Sequence, residues 1–540
     1  MTTGNINNVF IRLKKKFSLA NLFPLYEIEK FTDSKKLFWK SLKFFRANVN
    51  KEKTEGVLLV QLVRDYYYVI KLAAASKALA EKENLEVSLH DVKIYWTRKR
   101  RIIESVFDVL FKGSLNKLHF AFADKIVFKN YELYKDQKFI KNELVLIIDG
   151  LKGNDPANLL ELKFDDIPVG DLIYDTYLRF FHKPTIEVIN EDVITTIEIA
   201  LNIFYNFKTF LKHSKVKILL NSYVSYIHHG ITARICIQEN IRVYTIGSPS
   251  YIIQEMTDTF PYHQINHTLF SRTRELSSQQ LQLAQNSLES RFTGIIDTAT
   301  SYMKRSAFTG NAVSPEVRNL FLSKKRNIVI YPHEFYDSPH INRMLQFPDL
   351  YLFLRQTLVE LTDMKDTNVF IKIHPNGMPG NKEKTNELVN SFHCPHFYIL
   401  DDSVSNLNIV ELKPDLIGTA RGTVGIEMAY FEIPTVALYD NLYVDFKFVH
   451  TCMDKGEYFS ILRGEVDPSV DFNKHEIYSF YYQAYIDKLT AASSSSMTLL
   501  KSFKGDTYSD AYLEHLFLSG YENARAELVD YYRSGLQQNN

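Results

Sequence analysis

The sequence predicts an α/β fold made of two doubly wound, Rossmann-like domains that face each other across a cleft, with additional helices at both termini. Three observations lead to this prediction. Short apolar runs alternate with helical segments, the alternation restarts near residue 326, and polar or small residues directly follow several of the apolar runs. Alternating strands and helices favour parallel sheets, because each helix connects two parallel strands. At about 150 residues per domain, the length of 540 residues allows two to four domains.

Four regions are predicted along the chain: a lead-in over 1–55, a first Rossmann-like domain over 56–310, a second over 311–490 and a helical segment over 491–540. The strands predicted for the first domain are Gly56–Val63, Leu85–Ser88, Ala121–Phe128, Val216–Leu220 and Arg242–Ile246. Those predicted for the second domain are Asn327–Tyr331, Val369–Ile373, Phe397–Ile399, Asp415–Thr419 and Thr435–Leu438. Helical spacing predicts Tyr68–Glu83, Glu191–His213, His229–Glu239, Pro348–Thr362, Lys382–Phe392, Thr423–Phe431 and one or two helices in 275–307.

The composition argues against several classes of protein. Sixty-four Lys and Arg residues against 63 Asp and Glu residues give a net charge of +1, so no charge excess attracts nucleic acid. The three cysteines form no CxxC or Cys/His cluster, which indicates a reducing compartment. No apolar run reaches the ~20 residues of a membrane-spanning helix, and no signal-peptide segment is recognised. We therefore expect a cytoplasmic protein. The basic run Arg12–Lys16 is interpreted as a solvated segment, with contact to an anionic membrane surface as the alternative.

Residues Asp415–Tyr439 contain the clearest candidate binding motif, a strand, a small-residue turn, a helix and a second strand. Gly422 has no Cβ and allows the backbone to approach a ligand closely. The helix that begins at Thr423 offers unpaired N–H groups to a phosphate, and Glu427, one turn later, could accept from two hydroxyls of a ribose. This predicts a nucleotide site. The alternative is an ordinary βα connection with a glycine turn.

Two further turns follow predicted strands of the second domain. His333 and Glu334 follow its first strand, and the turn His374-Pro375-Asn376 follows its second. Ligands of doubly wound sheets lie at the carboxyl ends of the strands, so we expect both turns to meet the Gly422 turn in one crevice. A histidine there can give a hydrogen bond or a positive charge to a phosphate oxygen. Alone, each histidine would be an ordinary surface or core residue, but the order of the three turns favours a binding site.

Together these motifs resemble the GT-B glycosyltransferases of bacterial capsule and surface-polysaccharide biosynthesis. The matching motifs are the Pro/His turn with a later SPH (Tyr331–His340), HPN (His374–Asn376), and GTVGIE followed by IP (Gly422–Pro434). In the first domain, IPVGDLIYDTYLR (Ile167–Arg179) and the strand end with the following helix (Asn221–Ile231) are similar to the same family. The resemblance covers residues 160–440 and concerns the fold and the use of a nucleotide sugar, not the identity of the sugar.

The resemblance implies that the second domain binds a nucleotide-activated sugar and the first domain binds the acceptor, without a metal ion or other cofactor. It assigns His374 and Thr423 to the phosphates and Glu427 to the ribose. The sequence contains no Asp-x-Asp motif of the metal-dependent alternative fold. Arg421 is a candidate to neutralise the leaving diphosphate, with an exposed turn residue as the alternative.

An inverting transfer needs a general base on the acceptor hydroxyl, and the first domain offers four candidates. Asp171 and Asp175 are four residues apart and would share one face of a helix. The alternative roles are a helix N-cap for Asp171 and a surface carboxylate for Asp175. His228 and His229 are the other candidates, and the alternative for them is a turn that lines a helix start.

The sequence leaves three functional hypotheses open. The first is a glycosyltransferase that extends a bacterial surface glycan, the second a sugar-nucleotide epimerase or hydrolase on the same fold, and the third a non-catalytic glycan-binding assembly module. The polar strand ends of the large first half favour the first. A CMP-linked acidic sugar such as Kdo or sialic acid fits the His-Pro turn, and a UDP- or GDP-sugar is the alternative. The expected partners are the donor, a glycan or lipid-linked glycan acceptor, and a peripheral membrane or polysaccharide-assembly complex.

Overall fold

The structure is a computed structural model that describes residues 44–63, 66–94, 115–130, 137–153, 155–246, 253–258, 270–296, 303–341, 346–439 and 441–487, together with a few single positions. Most of the predicted lead-in and of the predicted C-terminal helical segment lies outside the described residues.

The secondary structure elements alternate along the described chain. The strands are β1 Val57–Gln61, β2 Glu86–Asp91, β3 Ile126–Lys129, β4 Lys163–Phe164, β5 Ile167–Pro168, β6 Val216–Asn221, β7 Arg242–Thr245, β8 Gln254–Met256, β9 Arg326–Tyr331, β10 Thr367–Lys372, β11 Phe397–Leu400, β12 Leu416–Thr419, β13 Thr435–Leu438 and β14 His450–Cys452. The helices are α1 Tyr66–Glu83, α2 Leu115–Phe122, α3 Gln137–Leu151, α4 Gly170–Phe181, α5 Glu191–Lys212, α6 Ile227–Gln238, α7 Ser278–Phe292, α8 Pro315–Phe321, α9 Leu350–Leu361, α10 Asn381–Ser391, α11 Asn406–Glu411, α12 Val424–Tyr430, α13 Lys455–Arg463 and α14 Lys474–Tyr481. A 3₁₀ turn precedes β4 over Pro156–Glu161, and a π turn over Tyr482–Ile486 follows α14.

The strands form two six-stranded sheets with the same strand order. The first sheet runs β3-β2-β1-β6-β7-β8, and the second runs β11-β10-β9-β12-β13-β14. Within these two sheets all neighbouring strands are parallel except β7 and β8, and β4 and β5 form a separate antiparallel hairpin. Each sheet therefore has the doubly wound order of a Rossmann domain, in which the order reverses between the first and the fourth strand. The prediction of two Rossmann-like α/β domains is confirmed.

Strand β9 shows why these segments read as continuous apolar runs. Ile328, Val329 and Ile330 are completely buried, because helices cover both faces of a parallel sheet. Ile328 and Ile330 pack on one face in a core that includes Leu354 of α9. Val329 packs on the opposite face against Met428 of α12. The two-residue period of the strand thus divides its side chains between two cores.

The structure corrects several predicted elements. The predicted strand Ala121–Phe128 spans two elements, because its apolar run crosses the end of α2, a turn at Asp124 and the start of β3. The hairpin β4–β5 and the edge strands β8 and β14 were not predicted, since two- or three-residue strands leave too short a pattern. Within 275–307, α7 begins at Ser278, and Ser277 and Gln280 form a capping box at its N-terminus. Residues 303–307 are not helical, and 297–302 lie outside the described residues.

Helix α4 makes several contacts between the domains. The Tyr174 hydroxyl donates to Asp349 Oδ2 at 2.6 Å, and Asp175 Oδ1 lies 2.6 Å from His340 Nδ1. All four of these residues are buried. One face of α4 in the first domain therefore packs against the segment that joins β9 to α9 in the second.

The described residues near the C-terminus lie against the first domain. Phe517 packs edge-on against Phe45, with the ring centroids 4.6 Å apart, and belongs to the core beneath α1. The Tyr521 hydroxyl donates to Glu81 of α1. Among the helices that the structure describes, none combines the length and the apolar character needed to cross a membrane.

Candidate active site

A cavity opens at the carboxyl ends of β9 and β12, where the strand order of the second sheet reverses. Doubly wound sheets bind ligands at this position. Its wall contains the predicted residues His333, His374, Pro375, Arg421, Gly422, Thr423 and Glu427. It also contains Tyr331, the first residue of the predicted Pro/His turn, and Arg291, Lys372 and Asn406, which were not predicted. The structure thus brings residues from all three predicted turns to one cavity.

His333 occupies the turn after β9 in a left-handed backbone conformation, with φ of 70°. Its ring Nε2 donates to the Arg421 carbonyl oxygen, which ties the turn after β9 to the turn after β12. Gly422 lies directly against this ring, and a Cβ at that position would come within 2.9 Å of His333 Cε1. Burial, with the positive charge of Arg421 adding to it, lowers the pKa of His333 to about 3. His333 is therefore a neutral residue that holds the two turns together.

His374 lies at the end of β10 and is a hydrogen-bond donor toward the cavity. Its Nδ1 accepts from the backbone N–H of Asn376 at 3.1 Å, so the proton of the neutral ring is on Nε2. Burial, together with the positive charge of Lys372, lowers the pKa of His374 to about 4. The predicted interaction of His374 with an anion would therefore be a neutral hydrogen bond rather than an ion pair.

Lys372, the last residue of β10, is a buried cation in the cavity wall. Only 2% of the residue is exposed, and its amino group donates to the Ile373 carbonyl oxygen at 2.9 Å. Burial lowers its pKa to about 8 despite the nearby Asp402 carboxylate. The available signal in the sequence was a lysine inside the otherwise apolar predicted strand Val369–Ile373, two residues before His374.

Glu427 forms a buried ion pair with Arg291. Arg291 Nη2 contacts Glu427 Oε1 and lies 3.3 Å from Thr423 Oγ1, and both charged side chains are less than 5% exposed. The second carboxylate oxygen of Glu427 makes no hydrogen bond to a described residue. Arg291 comes from the end of α7, 136 residues away, and no local pattern marks it. The role of Arg291 in holding Glu427 in place was therefore not predicted from the sequence.

Glu334 and Asn376 have structural contacts next to the cavity and are not among the residues of its wall. Glu334 accepts from the Met378 backbone N–H at 2.5 Å, and burial raises its pKa to about 7. Asn376 accepts from the backbone N–H groups of Lys304 and Arg305, each at 2.9 Å. Glu334 and Asn376 therefore support the neighbouring loops, and a direct contact of either residue with the donor stays a prediction.

Asp171 does not have the environment of a general base. Arg234 binds both of its carboxylate oxygens, at 2.6 and 2.5 Å. Burial alone would raise the pKa of Asp171, but the Arg234 guanidinium outweighs burial and the net pKa is lowered. A carboxylate held in this way binds protons weakly. The geometry favours a structural role, and Asp171 also differs from the predicted N-cap, since α4 begins at Gly170.

Asp175 is enclosed between the domains, and 3% of it is exposed. Its oxygens accept from His340 Nδ1 at 2.6 Å and from the His340 backbone N–H at 3.3 Å. Asp175 is thus not the predicted surface carboxylate. It lines neither the cavity of the second domain nor the cavity of the first domain that contains His228 and His229. It joins α4 to the second domain.

A second cavity lies at the corresponding position of the first sheet, at the carboxyl ends of β1 and β6, and His228 and His229 line it. Gln61 orients His229. The Gln61 Oε1 accepts from the Ser222 backbone N–H at 3.0 Å, so its amide nitrogen faces His229 Nδ1 at 2.6 Å and donates to it. The neutral ring of His229 therefore carries its proton on Nε2 and is a donor at that atom.

His228 is the base candidate with the least restricted ring. Its Nδ1 is enclosed and makes no hydrogen bond within the described part of the chain. Burial lowers its pKa to about 4, so the ring is neutral near pH 7. The ring stacks on Tyr226 at 6.0 Å and contacts Phe180 at 5.8 Å. Of the four predicted candidates, only His228 and His229 line this cavity, and within the described residues His228 has neither an ion-pair partner nor a hydrogen bond to its ring.

A chain of contacts connects the two cavities. Tyr226, whose ring stacks on His228, approaches Asp337 Oδ1 at 3.5 Å through its hydroxyl. Arg421 Nη2 donates to the carbonyl oxygen of the next residue, Ser338, at 3.2 Å. Tyr226 also has φ of 62°, a strained conformation for a residue with a side chain that costs about 1–3 kcal/mol. The strained turn thus directs an aromatic ring toward the opposite domain.

One group of described side chains has the spacing of a metal site: His450, Cys452 and Glu457, with ligand atoms within 4.8 Å of one another. His450 Nδ1 accepts from the Ser469 backbone N–H at 2.9 Å, so Nε2 carries the proton that is donated to Glu457. A metal-binding histidine instead donates from the nitrogen that does not bind the metal. The group is therefore a hydrogen-bonded cluster at the edge of the second sheet.

Comparisons with known proteins give distant structural similarity. No family model matches the chain, and no curated protein sequence matches it. A KpsC β-Kdo 2,4 transferase from Thermosulfurimonas dismutans matches with 9% identity and a TM-score of 0.26, covering 41% of this chain and 59% of that chain. A glycosyltransferase from Rickettsia africae matches with 10% identity and a TM-score of 0.26, over 84% and 100%. A putative UDP-N-acetylglucosamine 2-epimerase from Listeria monocytogenes matches with 13% identity and a TM-score of 0.24, over 84% and 98%.

These values are too low to assign an activity. The three proteins include transferases and an epimerase, and this chain spans only 59% of the first of them.

Proposed function

We propose that this chain is a glycosyltransferase that moves a sugar from a nucleotide-activated donor to a hydroxyl group of a growing surface glycan. The observation that carries the proposal is the cavity of the second domain. Three cations from separate segments, Arg291, Lys372 and Arg421, line it together with one carboxylate, Glu427. Burial keeps His333 and His374 neutral. The cations of the wall therefore outnumber its carboxylate, and the resulting net positive charge favours an anionic ligand.

The donor would bind with its phosphate on Lys372 and Arg421. His374 would add a neutral hydrogen bond from Nε2, since its Nδ1 is occupied. The second carboxylate oxygen of Glu427 would accept from the ribose hydroxyls, because the first one is held by Arg291. A CMP-linked acidic sugar and a UDP- or GDP-sugar are each compatible with this charge. An assay with all three classes of nucleotide sugar identifies the donor.

The acceptor would enter the cavity of the first domain, where His228 is the proposed general base. In an inverting transfer, an acceptor hydroxyl attacks the anomeric carbon of the donor sugar and gives its proton to His228 Nε2. The bond from the anomeric carbon to the phosphate oxygen breaks, and the negative charge develops on the departing nucleotide. Arg421 and Lys372 would stabilise that charge in a site already arranged for it.

The proposal is tested by incubating the purified chain with individual CMP-, UDP- and GDP-sugars, with and without a glycan acceptor. Release of nucleotide that requires the acceptor, with a new glycosidic product by mass spectrometry, is the expected result. Release of nucleotide without an acceptor product would indicate the hydrolase alternative, and conversion of one nucleotide sugar into another would indicate the epimerase. Either outcome would overturn the proposal.

A further inference from the structure

A short segment before α8, residues 303–308, forms one wall of the second-domain cavity and is called the wall segment below. Met303 and Phe308 give this wall an apolar surface. The Phe308 ring packs edge-on against Phe292, with the ring centroids 4.9 Å apart. Phe292 ends α7 and directly follows the arginine that pairs with Glu427. The apolar end of the wall segment therefore lies near the carboxylate proposed for the ribose.

The other end of the wall segment is fixed to the turn after β10. The Asn376 side chain accepts from the backbone N–H groups of Lys304 and Arg305, each at 2.9 Å, and donates to the Arg305 carbonyl oxygen at 2.8 Å. The Arg305 guanidinium donates to the Pro375 carbonyl oxygen and to Asp402 Oδ2, both at 3.0 Å. The wall segment is thus held by the turn whose histidine is proposed to bind the phosphate.

Asn406 offers a hydrogen-bond donor beside the wall segment. Its backbone N–H donates to the Ala307 carbonyl oxygen at 2.8 Å, and its Oδ1 accepts from the Tyr331 hydroxyl at 3.3 Å. Asn406 lines the cavity, only 4% of it is exposed, and its Nδ2 makes no hydrogen bond to a described residue. A buried amide N–H without an acceptor is unfavourable, so this group suits a ligand that supplies one.

We infer that the wall segment and Asn406 form the nucleobase part of the donor site, with Asn406 Nδ2 donating to a ring acceptor of the base and Asn376 as the positioning residue of the wall. This inference rests on the proposed function and adds the group that recognises the base. The faces of a nucleobase carry no hydroxyl groups, so they can lie against Met303 and Phe308 while a polar edge atom meets the amide. A sugar ring suits an apolar wall less well, because hydroxyl groups surround it.

The test compares nucleoside monophosphates with ribose 5-phosphate, which has the same phosphate and ribose but no base. Calorimetry on the full chain measures CMP, UMP, GMP and ribose 5-phosphate. We expect at least one nucleotide to bind about tenfold or more tightly than ribose 5-phosphate. If ribose 5-phosphate binds as tightly as every nucleotide, the nucleobase inference is overturned while the phosphate site of the proposed function stands. If none of the four ligands binds, the proposed function fails together with the inference.

Asn406→Leu removes the amide at nearly constant volume and adds no charge. We expect the affinity for the preferred nucleotide to fall about fivefold or more, and the affinity for ribose 5-phosphate to change less than about twofold. Asn390→Leu, which alters an exposed asparagine of α10, is the control. Unchanged nucleotide affinity in a folded Asn406→Leu protein would overturn the inference.

Asn376→Ala tests the wall segment separately and supplies the test if Asn406→Leu does not fold. The backbone N–H of residue 376 can still donate to His374 Nδ1, so the proposed phosphate ligand is kept. We expect the ratio of nucleotide to ribose 5-phosphate affinity to fall about fivefold or more. Asn376→Asp keeps an acceptor for the two N–H groups and should recover part of this ratio. Equal losses for both ligands in Asn376→Ala would overturn the positioning role.

Discussion

His340 Nδ1 in the second domain lies 2.6 Å from Asp175 Oδ1 in the first, so a buried histidine–carboxylate pair joins the two domains. Beside it, the Tyr174 hydroxyl donates to Asp349. Tyr174 and Asp175 lie on α4, and His340 and Asp349 lie in the segment that joins β9 to α9. The relative position of the two cavities thus depends on polar contacts that a local sequence pattern does not reveal.

The His340–Asp175 pair should give stability that decreases as the pH rises. Burial alone would lower the pKa of His340, but the Asp175 carboxylate outweighs burial and the net pKa is raised. The contribution is complete below the ordinary pKa of histidine, about 6.5, and is lost as the pH rises through the higher folded value. Urea unfolding at pH 6 and pH 8 should show this loss in the wild type and a smaller one in His340→Gln. The exposed His213→Gln is the control; an equal pH dependence in all three proteins would contradict the assignment.

Removing Arg291 alone should destabilise the second domain more than removing it together with Glu427. Arg291→Met leaves the Glu427 carboxylate buried without its cation, which costs about 3–5 kcal/mol. Arg291→Met combined with Glu427→Gln removes both charges, and we expect it to recover much of that loss. Denaturant unfolding of the two single variants and the double variant measures the coupling. Additive effects would show that the two side chains do not stabilise each other.

Nucleotide affinity should fall as the pH rises, because the pKa of Lys372 is about 8. Loss of the Lys372 charge weakens attraction to a phosphate, and the expected decrease is about tenfold between pH 7 and pH 9. Calorimetry at the two pH values should show this in the wild type and not in Lys372→Met. Lys384→Met, which alters a half-exposed lysine paired with Glu387, is the matched control. A steep pH dependence that persists in Lys372→Met would assign it to another group.

His228→Ala should abolish transfer while leaving donor affinity unchanged. Loss of a general base reduces the rate by about 100-fold or more, whereas the phosphate site is in the other domain. His229→Ala should reduce the rate less, because Gln61 occupies its Nδ1 and its remaining role is that of a donor. Initial rates and donor calorimetry on both variants, with His213→Ala as the control, separate these effects. Near-normal transfer by His228→Ala would remove it as the base.

The two-domain fold was predictable from the sequence because each buried strand leaves a continuous apolar run, as Ile328–Ile330 does. The three turns of the second cavity were predictable for a related reason: each directly follows such a strand, and parallel strands end at one edge of the sheet. Elements shorter than four residues, such as β8 and β14, left no pattern to recognise.

Partners that are distant in sequence were not predictable. Arg291 and Glu427 are 136 residues apart, and Asp175 and His340 are 165 apart. The spacing of Asp171 and Asp175 correctly indicated one helix, but their roles depend on Arg234 and His340, which only the tertiary structure brings to them. The same holds for His229 of α6, whose tautomer is set by Gln61 at the end of β1.

The central claim is that the second-domain cavity binds the donor nucleotide, and calorimetric titration of CMP, UDP and GDP with their sugar conjugates tests it most directly. We expect at least one of these ligands to bind the wild type, with affinity at least tenfold lower in Arg421→Met and in Lys372→Met at pH 7, and unchanged in His228→Ala. If no nucleotide binds the wild type, or if both cavity variants bind as tightly as the wild type, the account is contradicted.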